Sequence, residues 1–286
     1  PAVLRKSERA RGKVDWFGAI TVTGALVSLV YAIVTIETAG LGSPLILSLL
    51  GISLALFVIF LIAQRVRREP LLPLGIFKAP NLAAGNLVMA LLGAAWIPLW
   101  FFLNLYLQQI LGLSALASGL ALLPMTVLIM IVMVGFSGKL IGRFGPKTNL
   151  ILGLLLMGAS LILFANLPLD GSFVINVLPA SLLAALGMAL AYIPATMSGM
   201  AGAKPEETGL ASGLINTTYQ IGSAIGLAVM VVISTAGFGH GSAGPAEMLQ
   251  GFQAAFQGAG VVAAVAALAT LLLIRGGAAQ REVPVG

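Results

Sequence analysis

The sequence contains no cysteine, a single histidine, and only 8% charged residues. Without thiols, disulfides and thiolate metal sites are excluded, and redox chemistry leaves no mark of the compartment. His240 alone cannot supply a metal-ligand cluster or a Ser/His/Asp set, and no phosphate-binding loop pattern occurs. A solvated loop histidine is the reading for it. Acidic residues are the scarcest charged class, nine against 15 Lys and Arg. With so little to transfer protons or attack a bond, an enzyme is not expected, and neither a metal nor an organic cofactor is called for.

What the chain has instead is apolar length. Its residues are 59% hydrophobic with a mean hydropathy of +1.07, above the roughly 45–50% of a soluble domain. A helix crosses the hydrocarbon layer with about 20 mostly apolar residues. Runs of that kind are read at 17–36, 45–64, 82–107, 115–137, 148–166, 173–199, 208–235 and 253–274. Their length and continuity argue for helices rather than the alternating strands of a membrane barrel. The fold class is therefore an all-α integral membrane protein with eight transmembrane helices.

The charges test this parse. Every Asp, Glu, Lys and Arg falls outside the eight runs, as the cost of at least ~2.5 kcal/mol for a charge at the bilayer centre requires. With the N-terminus inside, all 15 basic residues also fall on the inner side. The turns near 37–44, 108–114, 167–172 and 236–252 hold none. One helix miscounted would have mixed the two sets. The positive-inside rule thus accounts for the pI near 10 without nucleic acid. It predicts a multi-pass protein of the plasma membrane with both ends of this chain cytoplasmic.

The connection 65–81, "RVRREPLLPLGIFKAPN", carries three prolines and four basic residues and reads as a boundary. The expected organisation is a basic segment 1–16, a two-helix unit 17–64, a linker 65–81, a six-helix bundle 82–275 and a tail 276–286. The six helices divide into two groups of three, the inverted-repeat arrangement of many secondary transporters. The apolar run after residues 1–16 is of full span length, so that segment is not a signal peptide. Since the chain begins with Pro1 and not Met, it is read as a fragment of something longer.

Polar residues inside the runs are few. On 208–235, Gly209, Gly213, Asn216, Gln220 and Ser223 recur at intervals of three and four and form one stripe. Asn104 and Gln108 are four apart near the end of 82–107, with Gln109 at its mouth. Two readings stand: these groups line a central cavity with Trp96, Phe101 and Phe102, or the amides join helices, worth about 0.6 kcal/mol each. Pro98, Pro124, Pro179 and Pro194 invite kinks, and Gly222 and Gly226 have the small-xxx-small spacing of close helix packing. Asp15 beside Trp16 reads as an N-cap with an interfacial aromatic. Glu37 abuts the outer end of a run, as a vestibule carboxylate or as an ordinary headgroup-level one.

The segment "YLQQILGLSALASGLALLP", 106–124, with Tyr106, Gln108, Gly112, Ser114, Gly119 and Pro124, resembles a turn in the 14-helix drug:proton antiporters of the major facilitator superfamily, the EmrB/QacA type. "KVDWFGA" at 13–19 resembles the entry to that family's extra helix pair, and "REPLLPLGIFKAPN" at 68–81 the linker after it. "PEETGLASGLINTTYQIGSAIGLAV" at 205–229 resembles its penultimate helix. The resemblance implies that 17–64 is the central pair, that 82–274 is the C-terminal bundle, and that an N-terminal six-helix bundle is the missing partner. It implies alternating-access export of lipophilic drugs or antibiotics, driven by a proton gradient whose carriers lie in that other half. The competing readings are a transporter of one narrow substrate, such as an organic anion or a self-made antibiotic, a passive channel, and a non-transporting scaffold.

The same resemblance covers "SGKLIGRFGPKTNL", 137–150. Gly138, Leu140, Arg143, Gly145 and Lys147 match the superfamily's glycine-rich basic loop, which implies a cytoplasmic gating turn. Gly142 stands where that loop usually carries Asp, so the latch lacks its carboxylate. The basic residues are expected to fix the side and to bond helix-end carbonyls or carboxylates on the other bundle, which would favour one access state.

Overall fold

The computed structural model describes residues 15–39, 43–66, 75–76, 79–203, 207–236 and 244–275, apart from the side chains of 36–38. It contains eight helices long and apolar enough to cross a membrane. They are α1 (Trp16–Ala39), α2 (Pro44–Val66), α3 (Leu82–Ile110), α4 (Ala115–Phe144), α5 (Pro146–Phe164), α6 (Phe173–Met200), α7 (Thr208–Thr235) and α8 (Pro245–Leu273). Among the described residues there is no strand. The count agrees with the sequence reading; the ends do not all agree. α8 begins at Pro245 rather than 253, because Gly244 and Glu247 cap it: the Gly244 N–H donates to the Glu247 carboxylate at 3.1 Å.

α3 is the centre of the six-helix part, packed against α6, α7 and α8, while α5 closes the back between α6 and α8 and α4 leans on α6. Val88, Met89, Leu92, Leu99, Leu103 and Tyr106 give α3 a fully buried face. Three phenylalanines join it to its neighbours: Phe256 of α8 stacks on Phe164 of α5 at 5.3 Å and meets Phe102 of α3 at 6.3 Å. At one end the Tyr106 hydroxyl donates to the Pro168 carbonyl at 2.7 Å and the Gln253 amide to the Leu167 carbonyl at 2.8 Å. These bonds satisfy loop carbonyls that a bilayer would leave bare.

Glycine makes the closest seams. A Cβ on Gly222 of α7 would run into the main chain of Ala90 in α3, and one on Gly226 into Ala94. Gly153 of α5 and Gly187 of α6 meet in the same way; a Cβ on Gly153 would sit 2.6 Å from the Gly187 carbonyl oxygen. The small-xxx-small spacing at 222 and 226 therefore serves packing.

The prolines sort by position. Pro98 and Pro194 lie inside helices. Pro124 and Pro179 instead fall in the first turn of a new helical stretch, after a break at Leu122 and after the π turn Phe173–Val177. There the missing N–H is no loss. α4 is the most interrupted helix, broken again by a π turn at Val132–Phe136.

α1 and α2 form a hairpin that touches the rest through α7. The Ser53 hydroxyl of α2 donates to the Ala25 carbonyl of α1 at 2.8 Å. Asp15 is the N-cap expected of it, accepting from the Gly18 N–H at 2.9 Å, and Trp16 is exposed. The structure adds a tie the sequence does not announce: the Asp15 carboxylate also accepts from the buried Gln64 amide at 3.1 Å.

Candidate functional site: an open polar face and a basic turn

α7 has two faces. Gly222, Ser223 and Gly226 are buried against α3, whereas Gly209, Gly213, Asn216 and Gln220 are exposed. Ser223, counted with the stripe on spacing, belongs to the seam: its hydroxyl bonds the Tyr219 carbonyl and its oxygen lies where a Cβ on Gly93 would fall. Thr217 joins the open face, its hydroxyl turned back on the Gly213 carbonyl at 2.8 Å. The face stays open although α1 packs on α7.

On α3, Phe101 and Asn104 are exposed and Gln108 is half-buried, on the side away from the core. The Gln108 amide donates to the Asn104 side-chain oxygen at 2.7 Å, so the two form one polar unit. Gln109 is exposed beside them in the π turn Tyr106–Ile110. Trp96 departs from expectation. It is 6% exposed, within the core and edge-on to Trp100 at 6.1 Å, because a large apolar ring at that register fills the space around α3.

The register of α3 on α7 separates the two polar groups. Ala90 meets Gly222, Gly93 meets Ser223 and Ala94 meets Gly226, offsets of 130 to 132 positions. Gln220 is then level with Val88, and Asn104 with Ala236. At 1.5 Å per residue, Gln220 and Asn104 stand about 24 Å apart along the bundle. They are two stations rather than one pocket. Beside the α7 station the structure adds two residues that spacing does not connect: Tyr192 of α6 and Tyr219 of α7 meet edge-on at 5.7 Å, both half-buried. Neutral amides, hydroxyls and aromatic rings can hold a lipophilic molecule by its few polar atoms without a fixed charge. Glu37 is helical in backbone, but its side chain lies outside the described residues, as does all of His240.

The basic turn is shorter than its sequence suggests. Residues 137–144 are helix, and the reversal is made at Gly145, whose φ of 78° favours glycine. Gly138 is exposed on that last helical stretch. Buried Asn149 locks the turn, its amide donating to the Gly145 carbonyl at 2.7 Å and the Leu140 carbonyl at 2.9 Å. Lys147 donates to the Leu271 carbonyl at 2.8 Å, at the end of α8. That is a helix-end carbonyl contact, made within this bundle and not with the other bundle as expected of the loop. Arg143 stays exposed, its guanidinium 5.4 Å from the centre of the Phe144 ring.

The model of the Major Facilitator Superfamily matches residues 3–227. Among similar proteins is the tetracenomycin C resistance and export protein of Streptomyces glaucescens, 35% identical over 80% of this chain and 42% of that protein. The cephamycin export protein CmcT of Amycolatopsis lactamdurans is 31% identical over 99% of this chain and 57% of its own length. The puromycin resistance protein pur8 of Streptomyces alboniger is 32% identical over 78% and 44%. The chain spans about half the length of these curated relatives. The apolar eight-helix pattern, the packed six-helix part and a family match over most of the residues agree: the chain belongs to the major facilitator superfamily.

Proposed function

We infer that this chain is the C-terminal part of a secondary active transporter that exports lipophilic drugs or antibiotics from the cell, in exchange for protons. The observation that carries the reading is on α7. It is the least apolar of the eight spans, yet Asn216, Thr217 and Gln220 sit on an exposed face. Lipid is the wrong cover for Asn216, Thr217 and Gln220. A water-filled path or another bundle is the right one. The names of the relatives, export and resistance proteins among them, support the class of cargo.

In this reading the open faces of α3 and α7 look toward an N-terminal six-helix bundle. The two bundles rock around the path between them. Cargo meets Asn216, Gln220 and the Tyr192–Tyr219 pair first, then Phe101, Asn104, Gln108 and Gln109 at the far end. With both ends of the chain cytoplasmic, that order runs outward. Lys147 and Asn149 hold the Gly145 turn rigid while Arg143 remains free to meet the other bundle in one access state. The proton carriers belong to the other half.

The test uses inside-out vesicles holding the full-length protein, and separately vesicles holding this chain alone. The full-length protein is expected to accumulate a lipophilic dye saturably and to stop when a protonophore collapses the gradient. This chain alone is expected to insert and not transport. Dye flux that neither saturates nor needs the gradient would make the protein a passive pore and end the proposal.

A further inference from the structure

A groove of about 470 Å³ opens where the start of α3 meets the end of α8, lined by Pro80, Asn81, Ala83, Leu87, Leu273 and Arg275, with Ala79 and Ala84 beside them. Its polar and apolar parts are segregated. Asn81 and Arg275 stand at the mouth. Leu87 is six residues further along α3, about 9 Å deeper, and Leu87 and Leu273 are 45% and 50% exposed. The mouth is built rather than frayed. Asn81, at φ 64°, donates from its amide to the Arg275 carbonyl at 3.2 Å and accepts from the Arg275 N–H at 2.9 Å.

Those two bonds use only the Arg275 main chain. Its guanidinium is exposed and has no ion pair or hydrogen bond among the described residues. The nearby cation at the end of α8, Lys147, is already engaged on the Leu271 carbonyl. Among the described residues the groove thus presents one positive charge without a partner, at the membrane surface, and an apolar wall running into the hydrocarbon. A soluble anion uses only the mouth, and a neutral lipid leaves the charge unanswered.

We propose that this groove binds one anionic phospholipid of the leaflet on the basic side. Its phosphate meets Arg275 and one acyl chain lies along Leu87 and Leu273. A cation near an anionic surface contributes about 1 kcal/mol, roughly a fivefold difference in retention. The site is independent of the transport reading, since its readout is bound lipid.

The experiment is native mass spectrometry of the full-length protein released from nanodiscs containing phosphatidylglycerol and phosphatidylcholine. Wild type is expected to retain phosphatidylglycerol preferentially, Arg275→Gln to lose that preference about fivefold, and Arg275→Lys to recover it. Leu87→Trp, which fills the groove and leaves the charge, is expected to reduce retention too. Arg65→Gln on α2 is the charge control and is expected to change nothing. Because the Asn81 bonds do not involve the guanidinium, Arg275→Gln keeps its fold, which an unchanged melting curve checks. Equal retention by wild type and Arg275→Gln would overturn the proposal. So would an equal loss from Arg65→Gln, or a gain on deleting 276–286, which would make that tail the occupant.

Discussion

The seam and the open face of α7 lie on one helix and obey opposite rules. Along the seam, side chains are reduced to hydrogen at Gly222 and Gly226 so that the α3 main chain can approach. On the open face, glycine at 209 and 213 meets nothing within 4 Å, and Asn216, Thr217 and Gln220 beyond them are exposed. The seam is a matter of volume. The open face is a matter of what covers it, and on the function proposed above that is something other than lipid.

The sharpest way to break the comparison is to exchange the rules. Gly222→Leu places a branched side chain into the Ala90 main chain, where nothing can yield except the helix spacing. Overpacking of that kind costs about 1–3 kcal/mol or more. We expect a large loss of folded yield and a lower melting temperature in detergent. Gly213→Leu on the open face is expected to fold as wild type. Equal damage from both would mean that the two faces are not distinct.

Asn216→Leu with Gln220→Leu tests the other side of the comparison. Removing two amides from an open face leaves packing untouched, so yield and melting are expected to hold. If cargo bonds them, at about 0.5–1.5 kcal/mol each, transport efficiency by the full-length protein falls about tenfold for some substrates. An unchanged substrate profile at normal expression removes the cavity role and returns the amides to a merely structural one.

How much of this was legible beforehand divides along the same line. Helix number was, because the cost of a charge in hydrocarbon is large and local to each residue. The Gly222/Gly226 spacing, the Asp15 cap and a glycine at the basic turn were legible for the same reason: each is decided within a few positions. Register was not. Spacing put Ser223 with Asn216 and Gln220 and grouped Trp96 with Asn104, whereas packing buries Ser223 and Trp96 and the offset between α3 and α7 separates the two polar stations. Tyr192 and Tyr219 meet through tertiary packing alone. Apolarity was also a poor guide to burial. α2 and α4 are among the most apolar spans, yet 17% of the apolar stretch of each is buried, against 61% for the less apolar α3. Lipid accepts apolar side chains as readily as a protein core does, so hydrophobicity identifies a membrane helix without saying which side of it is inside.

The basic turn carries the next effects in size. Arg143→Ala in the full-length transporter removes an exposed charge that, among the described residues, meets only the Phe144 ring. Insertion and melting are expected to be unaltered while the transport rate drops severalfold. A rate equal to wild type would leave Arg143 as a topology signal alone.

Lys147→Met is expected to have the smallest effect, and its sign separates holding from gating. The lost bond to the Leu271 carbonyl is one charge-assisted contact at a helix end, exposed to water and salt, worth about 0.3–1 kcal/mol. Asn149 still fastens the Gly145 turn through two buried bonds, so the reversal itself survives. The melting temperature should therefore fall slightly and recover partly in Lys147→Arg, with transport falling no more than the folded fraction does. A transport loss well beyond that, at unchanged stability, would move Lys147 from the scaffold of the turn to its moving part, and would make the contact with α8 a latch that opens during the cycle.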